Sequence, residues 1–259
     1  MALLKFFAWA VAWLIVFFCA VWAFGALFYD FPIPGFGKWG AILFVVILLA
    51  ALILVRGKAR KLGCVFLAFV VVLAWWRTLK PTNDRQWQPD VAVTAWADIN
   101  GDDVTVDNVR NCDYRTETDY TPHWEARTVR ISQITGIDLA VDYWGSPWIA
   151  HPIASFQFAD ARPLCFSIET RKKLGQTYST IGGLYRQFEL IYIVADERDV
   201  IRLRTNYRNE DIYLYRTTIS PAHARERFLE YIHSLNALRN NPRWYNAITA
   251  NCTTSIRTQ

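Results

Sequence analysis

Cysteine pairs of CxxC spacing are missing from this sequence, as is any cluster mixing cysteine with histidine, so a structural zinc site is excluded. Repeats and low-complexity tracts are missing too, which excludes a solenoid or a disordered tail as the main architecture. Acidic side chains are almost absent at the front. Asp30 is the single one in residues 1–79, against seven lysines and arginines, whereas residues 80–259 hold 21 basic and 22 acidic side chains. The basic pI of about 9.0 therefore belongs to the first 79 residues alone, and it carries no nucleic-acid reading.

What the front has instead is apolar length. Runs of 24, 17 and 15 residues without a charge follow Lys5, Lys38 and Lys61. With roughly 20 residues needed per bilayer crossing, the first is a full span and the second is adequate. The third, "GCVFLAFVVVLAWW", reaches across if Trp75 and Trp76 sit at the interface while Lys61 and Arg77 snorkel. A cleaved signal peptide is excluded for the first run, which is too long for an apolar signal core and lacks a small-residue cleavage site. Residues 1–79 thus read as a three-helix membrane anchor. The short basic loop "RGKARK" (56–61) marks the cytoplasmic side by the positive-inside rule, so everything after the third span lies outside. In a bacterium that is an inner-membrane protein with a periplasmic soluble domain. Cys19 and Cys64 fall within spans and read as packing residues. Cys112, Cys165 and Cys252 fall in the exported part, where disulfides are allowed; three is odd, so at least one is free or pairs between chains.

After a polar linker over residues 80–90, the exported part (91–259) reads as strands followed by helix. "VAVTAWADINGDDVTVDNVRNCDYR" gives two strands around an Asn100–Gly101 turn, and "ARTVRISQITGIDLAVDYW" continues the alternation. "RQFELIYIVADERDVIRLRTNYR" reads as a further strand pair, with "ADERD" at its turn and "DIYLYRT" following. "SPAHARERFLEYIHSLNAL" is a helix: Ser220 caps it, Pro221 starts it, and Phe228, Leu229, Ile232, Leu235 and Leu238 form its apolar stripe. Strands then helices imply an α+β fold with an antiparallel sheet and flanking helices.

The hairpin "IASFQFADARPLCFSIE" places chemistry. If paired positions sum to 322, Phe158 faces Leu164, Phe156 faces Phe166 and Ala154 faces Ile168, burying one face. The other face then carries Ser155 across from Ser167, Ile153 across from Glu169 and His151 across from Arg171. Glu169 becomes the diagonal neighbour of His151, about 7 Å away by backbone. An imidazole oriented by a carboxylate is a candidate general base; the plainer alternative is a solvated polar face with a Glu–Arg pair. Cys252 adds a nucleophile. "NCTTSIRTQ" reads as a helix start with Asn251 as N-cap, where the helix dipole and a nearby imidazolium both favour thiolate. A cysteine at a helix start facing a histidine on a strand is the papain arrangement, here with the chain order permuted.

The blocks "VRNCDYRTE", "IAHPIASFQF", "SIETRKK", "YSTIGGLYRQFELIYIVADERDVIRLRTNYR", "DIYLYRT" and "WYNAITANCTT" resemble, in this order from Val91 to the end, the Lnb N-terminal periplasmic domain family. The resemblance implies a permuted papain-like (NlpC-like) domain of the bacterial envelope, whose best understood members are lipoprotein N-acyltransferases working through a cysteine thioester. It implies Cys252 as nucleophile, His151 as base and Glu169 as third polar residue; Ser167, Arg171 and Asn251 are candidate supporting residues from the hairpin and helix-start reading. Two departures stand out. Members of the family continue past the "NCTT" block, so a shortened C-terminus is expected here, and Cys112 stands where an aromatic is usual, which leaves a Cys112–Cys165 disulfide open.

Other candidates are weaker. His123 sits in a loop beside an aromatic, and His223 and His233 read as surface or packing positions on the late helix. "ADERD" lacks a histidine and reads as turn acids rather than a metal site. Arg202 and Arg204 would share one strand face and pair with those acids. Tyr178 and Ser179 lie in a loop before Gly182–Gly183 that could border a cleft. The reading is a thiol acyltransferase or hydrolase on lipid-linked substrates such as lipoproteins, with inner-membrane lipids as partners and no cofactor, metal or nucleic acid. A peptide or peptidoglycan amidase, or a tethered binding module without chemistry, is the alternative.

Overall fold

The computed structural model describes residues 1–33, 35–143 and 150–250. Its contacts divide into two compact units. One comprises Met1–Lys80 with Ile181–Gln187; the other comprises Pro81–Thr180 and Phe188–Gln259.

The first unit is helical. Helices α1 (Ala2–Asp30), α2 (Gly37–Leu54) and α3 (Lys58–Thr78) are each long and apolar enough to cross a bilayer. Most of their side chains point outward, and Ala23, Ala26, Phe44 and Val72 form a small buried cluster between them. An outward apolar surface is what lipid requires and water forbids. Gly57, at φ 91°, turns the chain between α2 and α3. Segment Ile181–Gln187 packs on the end of this unit where α1 and α3 finish. The Asp30 carboxylate accepts from Trp76 Nε1 at 2.7 Å, the Arg186 N–H at 3.0 Å and Gln187 Nε2 at 3.0 Å. The Arg186 guanidinium lies 3.7 Å over the Trp76 ring. Tyr185 sits so close to Gly25 that a Cβ there would lie 1.9 Å from its hydroxyl.

The second unit is a mostly antiparallel sheet. Its path is β1 (Trp96–Asn100), β2 (Asp103–Arg110), β9 (Glu189–Ala195), β8 (Leu164–Arg171), β7 (Ala150–Phe158), β6 (Ile134–Tyr143), β10 (Asp211–Arg216), with β5 (Trp124–Arg130) also on β2. A separate two-stranded ribbon joins β3 (Asp113–Tyr114) to β4 (Tyr120–Thr121). The β1–β2 hairpin forms as expected, turning at Gly101 with φ 63°. Helix α5 (Pro221–Asn240) also forms as expected: Ser220 Oγ accepts the His223 N–H, and Pro221 opens the helix. Its buried residues Ala224, Phe228, Tyr231, Ile232 and Leu235 cover one sheet face, where Phe156 and Phe166 meet Phe228 and Tyr231 edge-on. Each such ring withdrawn from water contributes about 1.5–3 kcal/mol.

The other face corrects two expectations. First, it is covered rather than solvated. Ile153, Cys165, Ile191, Ile193 and Ala195 pack there against Trp87, Val91 and Val200. Residues 81–91 therefore lie on the sheet, with Gln88 N–H donating to Lys172 O at 3.0 Å. Second, "ADERDVIRLR" is not a strand and turn. It forms helix α4 (Glu197–Arg202), capped by Asp196, and a π-helical turn over Leu203–Tyr207. The acids expected at a hairpin turn hold the cap and the ion pairs instead. Asp199 bonds Arg110 at 2.8 Å and the Cys112 N–H at 2.7 Å, and Asp196 pairs with Arg127 at 2.9 Å. Glu197 accepts from Ser155 Oγ at 2.6 Å. Cys112 and Cys165 are both free and buried, so no disulfide joins them.

The β7–β8 register differs by two from the expected one. Ala154 pairs with Phe166 and Phe156 with Leu164, so paired positions sum to 320. The pairing ends at Phe156–Leu164, next to Pro163, which has no N–H for a further ladder bond. An even slip keeps every side chain on its face, which is why the inward and outward sets survive.

Candidate active site

Strand alternation puts His151 on the face that also carries Ser167 and Glu169 of β8 and Asp142 of β6, the residue directly opposite His151. His151 is buried, at 3% exposure. Its Nε2 lies 2.8 Å from Ser167 Oγ, and that hydroxyl in turn donates to Glu169 Oε1 at 2.8 Å. Ser167 therefore stands between the imidazole and the carboxylate.

Arg204, from the π-helical turn after α4, closes the cluster. It is 2% exposed and spends its guanidinium on the Val200 carbonyl at 2.9 Å, Glu169 Oε1 at 3.1 Å and Asp142 Oδ2 at 3.4 Å. Glu210 extends the cluster through a hydrogen bond to Asp142. Burial, then the hydrogen bond and charge of Asp142, push the Glu210 carboxyl up to about 7.

The protons can be placed by elimination. Burial works against the charge on Glu169, but Arg204 and Arg110 outweigh it and hold the carboxyl well below the usual range, so it only accepts. The single Ser167 hydrogen therefore goes to Glu169. Ser167 Oγ must then accept from His151, which makes Nε2 the protonated nitrogen and leaves the lone pair on Nδ1. Burial, then the positive charge of Arg204, pull the His151 pKa down to about 3. The ring is neutral, with its lone pair on Nδ1.

This cluster lines a cleft of about 240 Å³, bordered also by Asp90, Glu117, Lys172, Tyr178, Arg208 and Tyr245. Tyr178, from the loop expected to border a cleft, places its hydroxyl 3.3 Å from that of Tyr245. Residues 243–245 run beside the start of β9, where Trp244 bridges to Glu189, and Asn246 then bridges to Ala250.

The structure thus brings His151, Ser167 and Glu169 together. It does not bring Arg171, which donates to Val91 O at 2.9 Å, Ala92 O at 2.7 Å and Asn83 Oδ1 at 2.8 Å, and lies 4.3 Å over the Trp87 ring. Cys252 and Asn251 lie outside the described residues. His123, His223 and His233 are exposed and distant from the cleft lining. Among the described residues no group of three or more His, Cys, Asp or Glu is arranged to hold a metal ion. Sequence reasoning missed Asp142, Glu210 and the role of Arg204. Reading residues 197–208 with helical spacing would have set Val200, Leu203 and Arg204 on one inward face.

Comparison with known proteins gives one family. The Lnb N-terminal periplasmic domain matches residues 120–259, a stretch that holds every residue of the His151 cluster. No curated protein and no solved structure matches the chain.

Proposed function

Since the chain belongs to the Lnb N-terminal periplasmic domain family and carries three candidate membrane spans, we propose that it is a membrane-anchored thiol acyltransferase or hydrolase of permuted papain type. It acts from the periplasmic face of a bacterial inner membrane on lipid-linked substrates such as lipoproteins. Cys252 is the nucleophile, His151 the base, Ser167 and Glu169 its orienting pair.

One observation carries this reading: a buried neutral imidazole, oriented through Ser167 by an ionised Glu169, lines a cleft together with Tyr245 of the segment that leads to Cys252. In the first half-reaction the Cys252 sulfur attacks the acyl carbonyl and its proton passes to His151 Nδ1. Collapse breaks the bond to the leaving alcohol or amine, which takes that proton, and a thioester remains. In the second, an acceptor amine or water attacks the thioester carbonyl and gives a proton to His151. The carbon–sulfur bond breaks, and the proton returns to sulfur. The imidazolium formed in between is opposed by Arg204 and favoured by Glu169, so the base is reset quickly. Backbone N–H groups at Cys252 and a neighbouring donor hold the oxyanion.

The test is a covalent acyl-enzyme on the intact membrane-embedded protein, trapped on Cys252 with a lipoprotein or phospholipid donor. It should form in the wild type and vanish in Cys252→Ala and His151→Ala. If function survives both substitutions, the chain is a tethered binding module instead. Acyl transfer from a peptide donor alone would assign the amidase reading.

A further inference from the structure

The charges that line the His151 cleft do not cancel as their equal numbers suggest. Three acids and three bases line it: Asp90, Glu117 and Glu169 against Lys172, Arg204 and Arg208. Glu169 is engaged by Arg204 and Ser167, and Glu117 by Arg208 Nε at 3.0 Å. Asp90 bonds Tyr120 through its side chain, and its Oδ1, which has no hydrogen-bond partner, is closed off from solvent and from a ligand. Arg204 is 2% exposed and already pairs with Asp142 and Glu169. Lys172 is different. Just beyond β8, with its backbone carbonyl fixed by Gln88, its ammonium has neither ion pair nor hydrogen bond among the described residues. Arg208, 25% exposed and part of the cleft lining, meets Glu117 through Nε, a contact that does not use its two terminal nitrogens. The net unspent charge that a ligand can reach is therefore positive.

From this we infer an anion subsite in the cleft, formed by Lys172 and Arg208, that takes a phosphate group of the substrate. Lys172 supplies a point charge, and Arg208 supplies planar N–H donors suited to two phosphate oxygens. Tyr178 and Tyr245 give the neighbouring wall its apolar and hydroxyl surface. A phosphate held there sits in the same cleft as the His151 ring and fixes which carbonyl of a phosphate-bearing ester approaches it. This inference rests on reading that cleft as the substrate site.

The experiment uses the full chain in uncharged detergent micelles, with acetylation of Lys172 by an N-hydroxysuccinimide ester followed by mass spectrometry. Glycerol 3-phosphate and phosphatidylglycerol in mixed micelles are the probes, with glycerol and diacylglycerol as phosphate-free controls. The phosphate probes should slow Lys172 acetylation while the controls do not. Arg208→Gln should raise the half-protecting concentration roughly tenfold, the loss expected for one charge-assisted hydrogen bond. Arg208→Lys should recover part of that loss. Protection by phosphatidylglycerol alone supports the subsite and makes a membrane headgroup its source. Protection by glycerol 3-phosphate supports it and makes a soluble ester sufficient. Protection by neither, or protection unchanged in Arg208→Gln, overturns it. Repeating the titration in Cys252→Ala separates the two proposals. Protection there without any acyl-enzyme in the wild type leaves the subsite standing and removes the catalysis; an acyl-enzyme without protection does the reverse.

Discussion

His151 and Glu169 do not touch through a hydrogen bond of their own; the hydroxyl of Ser167 lies between them, 2.8 Å from each. A hydroxyl in that place transmits one bit of information. Because the carboxylate can only accept, the proton order along the chain is fixed, and so is the nitrogen that keeps the lone pair.

Replacing Ser167 by Ala should scramble that order. The His151 Nε2–H loses its buried acceptor, which costs about 1–3 kcal/mol of stability. Nitrogen NMR of the ring should show a single Nε2–H tautomer in the wild type and a mixture in Ser167→Ala. A wild-type ring already protonated on Nδ1 would remove the argument for Nδ1 as base.

Acid should weaken the fold through His151. Its native pKa, about 3, lies below the ordinary 6.5, so the unfolded chain takes the proton first. The stabilisation is present above about pH 6.5 and is lost as pH falls toward 3. Glu210 acts oppositely, because a native pKa of about 7 against an ordinary 4.5 makes its contribution fade as pH rises from 4.5 through 7. Comparing apparent Tm at pH 7.5 and 5.5 between wild type and His151→Gln isolates the first effect. The wild type should lose more on acidification, and an equal loss in both would contradict the burial argument.

Arg204→Met should be among the most damaging substitutions. It removes the ion-pair partner of Asp142, which is fully buried, and a donor to Glu169. Losing one partner of a buried ion pair costs about 3–5 kcal/mol, measurable by denaturant unfolding. The double variant Arg204→Met with Asp142→Asn should recover part of that, since the uncompensated charge is gone.

Cys112 and Cys165 should be silent toward alkylation while the protein is folded. Burial, then the charge of Asp199, push the Cys112 thiol up to about 11, and burial raises Cys165 further. Iodoacetamide at pH 8 followed by mass spectrometry should leave both unmodified until denaturant is added. Rapid native labelling of either would show that its enclosure is wrong.

The Tyr185–Gly25 contact gives a test in the helical unit. Gly25→Ala drives a methyl group into the Tyr185 ring, with the hydroxyl 1.9 Å and Cζ 2.4 Å from the new Cβ. Limited proteolysis should then cut within residues 181–187, and Tyr185→Ala in the same chain should suppress the cutting relative to Gly25→Ala alone.

Much of this was legible before the structure because each signal was local. Charge-free length gave α1 to α3, Ser220–Pro221 gave the start of α5, and a glycine turn gave β1–β2. The parity of β7 and β8 gave the shared face of His151, Ser167 and Glu169 even though the register was two residues off. What escaped was long-range. Residues 197–207 alternate like a strand only because Ile201 and Leu203 are separated by one arginine, and nothing local reveals that Arg204 belongs to Glu169 and Asp142. The Ser167 bridge escaped because a diagonal neighbour was taken to reach its target directly. In the observed register the shorter hydroxyl occupies that route.

The short stretch Ile181–Gln187 interrupts the sheet-bearing half of the sequence, yet it is anchored to Asp30, Trp76 and Gly25 of the helices. Cutting the chain at Lys80 would strip Tyr185 and Arg186 of the Gly25, Asp30 and Trp76 contacts that hold them. A fragment meant to keep residues 181–187 in their observed surroundings must carry residues 1–80 with it.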